Sequence, residues 1–168
     1  MNIEVEVFFV SPLSDRLAAY IRAARCISDA VGDPDSTAHE IKHALTADGT
    51  LNNVESFYLH STSWRFDNED IIFLTYMAFA DSFIADETSA GLLNIIETEA
   101  PESSSADRPR PMHIAERHVV LHGLRHLSYL ISHGSDNVIR SVIGPAGSRL
   151  LLNMTPYTAG KLSTGMIA

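Results

Sequence analysis

The sequence predicts an α+β domain: a small antiparallel or mixed sheet with a central β-hairpin and helices packed on one face. Three observations carry that expectation. The chain opens on a Val- and Phe-rich apolar stretch at residues 3–10. Two aromatic-rich runs, 54–66 and 71–80, flank a short polar turn. A late segment, 111–132, repeats apolar residues at helical spacing. With 168 residues, the chain fits a single domain over 1–168 with one main core.

Taken in order, residues 3–10 alternate apolar and acidic positions and then turn wholly apolar, as a strand does when it runs into a core. Ser14 can cap a helix reaching about Val31, with Leu17, Ile21, Ala24 and Ile27 at helical spacing, ended by Gly32, Asp33 and Pro34. A shorter helix is predicted from Ser36 to near Asp48 and Gly49. In the hairpin, pairing Phe66 with Ile71 across a four-residue turn sets Trp64 against Phe73, Thr62 against Thr75, His60 against Met77 and Tyr58 against Phe79. That side is the predicted core face, and the other side carries Leu59, Ser61, Ser63 and Arg65. Residues 90–97 suit a short helix, 99–111 a mobile Pro- and Ser-rich loop, and 112–132 the long helix. A short helix is expected at 136–142, and the Gly, Pro and Ser punctuation over 144–168 suggests an irregular C-terminal segment.

Composition narrows the function classes. Twelve Lys and Arg against 21 Asp and Glu leave a net charge of −9, which disfavours nucleic acid and anionic lipid as partners. The N-terminus has no basic start, and no apolar run approaches the ~20 residues of a membrane span. The lone Cys26 permits no intrachain disulfide and reads as a buried thiol in a reducing, cytoplasmic setting. There is no G-x-S-x-G elbow, no G-x-x-x-x-G-K and no G-x-G-x-x-G, which argues against the common serine-hydrolase and nucleotide-binding classes.

Two groups of residues carry chemistry. On the late helix, His118, His122, His126 and Tyr129 fall within about 80° of one another, with Val120, Leu124, Leu127 and Ile131 opposite. An i, i+4 pair of imidazoles can share one metal ion. His118 and His126, however, are about 12 Å apart along the axis, so a site needs an outside donor, and His60 is the candidate. In the hairpin, Ser61, Ser63, Arg65 and Tyr76, with Arg125 from the helix, would present hydroxyls and guanidinium groups suited to a phosphate or carboxylate. His39-Glu40-Ile41-Lys42-His43 fits H-E-x-x-H literally. A charged Lys42 inside the motif and the lack of a third-ligand signature make it a solvated helix face.

The run His60-Ser61-Thr62-Ser63-Trp64-Arg65, with Thr75-Tyr76 and Gly123-Leu124-Arg125-His126-Leu127, resembles a set of small bacterial proteins of uncharacterised function; that resemblance implies no activity. His122-Gly123-Leu124-Arg125-His126-Leu127 also resembles the opening of the H-G-x-L-H-L motif of the bacterial zinc endoribonucleases that mature ribosomal RNA. It implies His122, His126 and His133 as zinc ligands. That family's third His falls where this chain has Ser132.

The sequence therefore leads first to binding of a small anionic ligand or a protein partner, through the hairpin face and the histidine helix. Its second reading is a zinc-dependent hydrolase, with RNA as one substrate class, in which bound water is the nucleophile. The His and Tyr face equally suits a helix-to-helix contact in a homodimer.

Overall fold

The structure, a computed structural model, describes residues 2–27, 32–66, 70–98, 114–134 and 137–154. It is an α+β fold with one mixed, open sheet of five strands. These are β1 (Asn2–Pro12), β2 (Leu17–Ile27), β3 (Tyr58–Phe66), β4 (Ile71–Phe79) and β5 (Gly91–Asn94), with helices α1 (Pro34–Ala47), α2 (Glu116–His133) and α3 (Asn137–Leu152). The strand order is β3-β4-β1-β2-β5. β1 lies parallel to β4, and every other pairing is antiparallel.

The central place of β1 follows from its sequence. Val5, Val7, Phe8, Phe9 and Val10 are all fully buried, so apolar side chains point to both faces, as a strand covered on both sides requires. Phe8 and Val10 join Met77 and Phe79 under α2 and α3. Val5, Val7 and Phe9 join Tyr76 and Ala78 under Ala38 and Ile41 of α1. The sheet therefore carries helices on both faces: α2 and α3 share one, and α1 covers the other.

Residues 17–27 are the clearest departure from expectation, forming strand β2 and not a helix. Ser14 caps a tight turn: its hydroxyl accepts from the Arg16 and Leu17 amides at 3.2 and 3.1 Å. The ladder with β1 then runs from Pro12↔Ala18 to Ile3↔Ile27. Tertiary pairing overrides the helical propensity of an Ala- and Arg-rich segment. The buried Ala18 and Ala19 leave room for helices to approach. Cys26, on β2, is exposed, so the expected buried thiol is corrected as well. Residues 90–97 are not helical: a 3₁₀ turn at Glu87–Ser89 leads into β5, whose four residues pair with the start of β2.

At the other end, α3 continues through Leu152 where irregular structure was expected from 144. Its Gly144 has φ 66° and ψ 178°, a kink that only glycine adopts at low cost, and Pro145 follows as a helix-starting residue. The Asp81 carboxylate accepts from the Gly147 amide at 3.2 Å and so caps the second half of the helix. Ser128 ties α2 to α3 by donating to the Leu151 carbonyl at 2.7 Å. The expected loop at 99–111 and the tail beyond 154 lie outside the described residues. Among the described residues, no helix is long and apolar enough to cross a membrane.

Candidate functional site

The hairpin holds its predicted register for only half its length. Tyr58↔Phe79, His60↔Met77 and Ser61↔Tyr76 are as expected, but a bulge at Thr62 shifts the rest to Ser63↔Thr75, Trp64↔Leu74, Arg65↔Phe73 and Phe66↔Ile72. One extra residue turns the outer half of β3 over, because side chains alternate with a period of two. Ser63 and Arg65 come to the α2 face, beside Thr75 and Phe73, while Ser61 and Tyr76 stay on the α1 face. The expected Ser61, Ser63, Arg65 and Tyr76 group is therefore divided between two sides of the sheet. Tyr76 is committed elsewhere: its hydroxyl donates to Asp35 of α1 at 2.7 Å, and burial together with that carboxylate pushes its pKa well up.

Arg65 finds a partner that the sequence reading did not single out. Glu6, fully buried in β1, accepts two hydrogen bonds from the Arg65 guanidinium, one from Arg22 at 2.8 Å and one from the Thr75 hydroxyl at 2.6 Å. The Arg65 guanidinium also lies over the Phe73 ring, 4.5 Å from its centroid. Burial alone would raise the Glu6 pKa. Hydrogen bonds from Arg65, Thr75 and Arg22, with the charge of Arg65, outweigh burial and hold the carboxyl below its ordinary range. The signal in the sequence is an acid inside an otherwise apolar strand, which must bring a partner with it.

The histidine ladder is likewise distributed. His118 turns back to its own helix start, where Nδ1 accepts from the Ala115 amide at 3.2 Å. His133 stacks on Tyr129 with centroids 4.4 Å apart. Only His122 and His126 face the sheet, where β3 meets them: the rings of His60 and His126 lie 4.7 Å apart edge to face, and His122 hydrogen-bonds the Thr62 backbone. Gly123 makes this approach possible, because a Cβ there would come within 2.2 Å of Met77 Cε. His60 Nε2 and His126 Nδ1 are buried with no hydrogen-bond partner among the described residues. Burial lowers the pKa of all three imidazoles, with His126 adding to the effect at His60 and at His122, and Arg125 adding further at His122.

Among the described residues no three His, Cys, Asp or Glu side chains form a group that could hold a metal ion. His60 thus reaches the helix face, but His118 does not join it. On α1, His39 and His43 are exposed, Glu40 pairs with Arg25 at 2.8 Å, and Lys42 is buried and donates to the Val54 carbonyl at 3.0 Å. Arg125 is half-buried on α2 with no ion pair among the described residues.

One feature of the hairpin reverses expectation outright. Trp64, assigned by the simple register to the core face, is 71% exposed, and its neighbour Phe66 is 45% exposed. The bulge has turned both away from α2, onto the α1 side of the sheet beside Leu74 and Ile72. Comparison with protein-family models finds no match, and neither does comparison with curated proteins.

Proposed function

We propose that this chain is a protein-binding domain that accepts an extended segment of a partner protein along the outer edge of β3. The observation that carries the reading is Trp64, 71% exposed on the outermost strand of the sheet. A large exposed aromatic beside a second one, Phe66, is characteristic of recognition surfaces, where Trp supplies much of the binding energy. As the outermost strand of the sheet, β3 offers backbone groups for strand addition, while alternate side chains supply selectivity.

Charge favours a neutral segment. β3 carries no acid, and its one basic residue, Arg65, is paired with Glu6. The protein-partner reading gains over the small-anion reading for two reasons. The hydroxyls meant to surround an anion lie on opposite faces, and the Arg65 guanidinium is already engaged by Glu6.

A photo-reactive phenylalanine derivative at position 66, with Trp64 retained, tests this in the native cell. The expected result is one discrete adduct with another protein, lost in Trp64→Ala and absent when the same group replaces Leu92 on the opposite edge strand. No discrete adduct at 66, an equal adduct at 92, or an adduct only with a second copy of the chain would overturn it.

A further inference from the structure

We propose that the seam between α2 and β3 is an acid-opened latch, in which protonation of His60, His122 and His126 drives the helix and the outer strand apart. The geometry supplies the essential parts. Two imidazoles meet at 4.7 Å between centroids, and each presents a buried nitrogen with no hydrogen-bond partner among the described residues. The third ring, His122, lies one helical turn away, against the bulged Thr62. When neutral, the three rings pack as small aromatic bodies. When charged, they are like charges held close together in a seam largely removed from water.

Among the described residues, no acid of the surrounding elements pairs with His60 or His126. β3 offers Tyr58, stacked on His60 at 6.0 Å, and Arg65, which is engaged by Glu6. β4 has only Tyr76, on the opposite face and bonded to Asp35. β5 has no titratable residue, and the charged residues of α3 are Arg140 and Arg149. On α2 the others are Arg117, His118, Arg125, Tyr129, His133 and a single acid, Glu116, which acts on Tyr20 at the far end of the helix. Among the described residues, the acids of β1 on this face are Glu6, saturated by Arg65, Arg22 and Thr75, and Glu4, which lies farther along β1 from the seam, opposite Phe73, with Arg22 at 3.9 Å. Burial lowers the pKa of each imidazole, consistent with a seam that closes only when they are neutral.

The latch also has a weak side. Among the described residues, α2 and the edge of α3 cover β3 on this face, and β3 is the outermost strand of the sheet. Charge in the seam is relieved by local opening of an edge element before the central strands are affected. The inference stands apart from the docking reading, although the strand it releases is the one that carries Trp64.

Hydrogen–deuterium exchange of the whole chain without a partner, at about pH 7.5 and about pH 5.5 and corrected for intrinsic exchange, tests it. The expected result is a loss of about tenfold or more in protection over 58–62 and 122–130 at the lower pH, with β1 and α1 unchanged. His126→Gln and, separately, His60→Gln should each remove most of that response, while His43→Gln on the exposed side of α1 should leave it intact. Uniform loss across the molecule, no selective loss in the seam, or a full response in both seam variants would overturn the latch.

Discussion

Arg65 reaches the buried carboxylate of Glu6 because Thr62 bulges out of the β3–β4 ladder and turns the outer half of β3 over. The same turn carries Trp64 into solvent. One inserted residue thus produces both the ion network on the inner face and the exposed aromatic on the outer one.

Removing Arg65 should therefore cost more than a surface salt bridge is worth. Arg65→Met leaves Glu6 buried with Arg22 and Thr75 as its remaining donors, an expected loss of about 3 kcal/mol in urea unfolding. Replacing both members, Glu6→Met with Arg65→Met, should recover most of that loss, since no buried charge then remains. Strictly additive losses would show that the pair is not coupled.

Glu6 also sets the acid limb of stability. Its carboxyl is held below the ordinary 4.5 in the folded protein, so the unfolded chain takes up the proton first as pH falls. The stabilisation is fully present above that ordinary value and is lost as pH drops through it toward the lower folded pKa. The three seam histidines work at higher pH. Their pKa values are lowered from 6.5, so stability starts to fall as pH drops below that value and the unfolded chain gains protons. Chemical denaturation across pH should thus show two separate declines in the wild type. Glu6→Gln should flatten the lower one and leave the upper one unchanged; a single decline near pH 4 would contradict the assignment of the upper limb to the imidazoles.

The sequence disclosed the fold class, the burial of the first strand and half of the hairpin register, because apolar runs and a four-residue turn report burial and pairing directly; the hairpin it placed at the centre of the sheet lies at one edge. It did not disclose β2. Its Leu17, Ile21 and Ile27 spacing mimics a helix, and only the long-range ladder with β1 decides otherwise. Nor did it disclose the Thr62 bulge, which has no local signature in a Ser-Thr-Ser run. That one undetected residue dispersed the expected ligand-binding group and reversed Trp64. Among the histidines, the late helix was legible from its periodicity. Which rings meet His60 depends on the close approach at Gly123, which spacing alone cannot reveal.

Trp64 is the only tryptophan in the chain, so intrinsic fluorescence reports the β3 edge alone. At 71% exposure, its emission in the folded monomer should already be red-shifted and readily quenched by acrylamide. Unfolding followed by far-ultraviolet dichroism should consequently show a clear transition while the emission maximum barely moves. Trp64→Ala should change stability by no more than about 0.5 kcal/mol, as expected at an exposed position. A strongly blue, protected emission from dilute protein would mean that the edge is already covered.

Gly123 offers the sharpest test of how α2 is seated. An added methyl there would lie 2.2 Å from Met77 Cε, and Met77 is fully buried, so its side chain can yield only by disturbing its neighbours. Gly123→Ala gains about 1 kcal/mol of helix propensity and loses about 1–3 to overpacking, leaving a net destabilisation of up to about 2 kcal/mol. Gly123→Val, bulkier and β-branched, should be clearly worse. If the clash with Met77 is the cause, Gly123→Ala should cost much less in a Met77→Ala background, where the cavity accepts the methyl. A double-mutant cycle measures this as a coupling of at least about 1 kcal/mol. Because the same close approach brings His126 onto His60, Gly123→Val should also weaken the acid response of the seam, even in protein that remains folded at neutral pH.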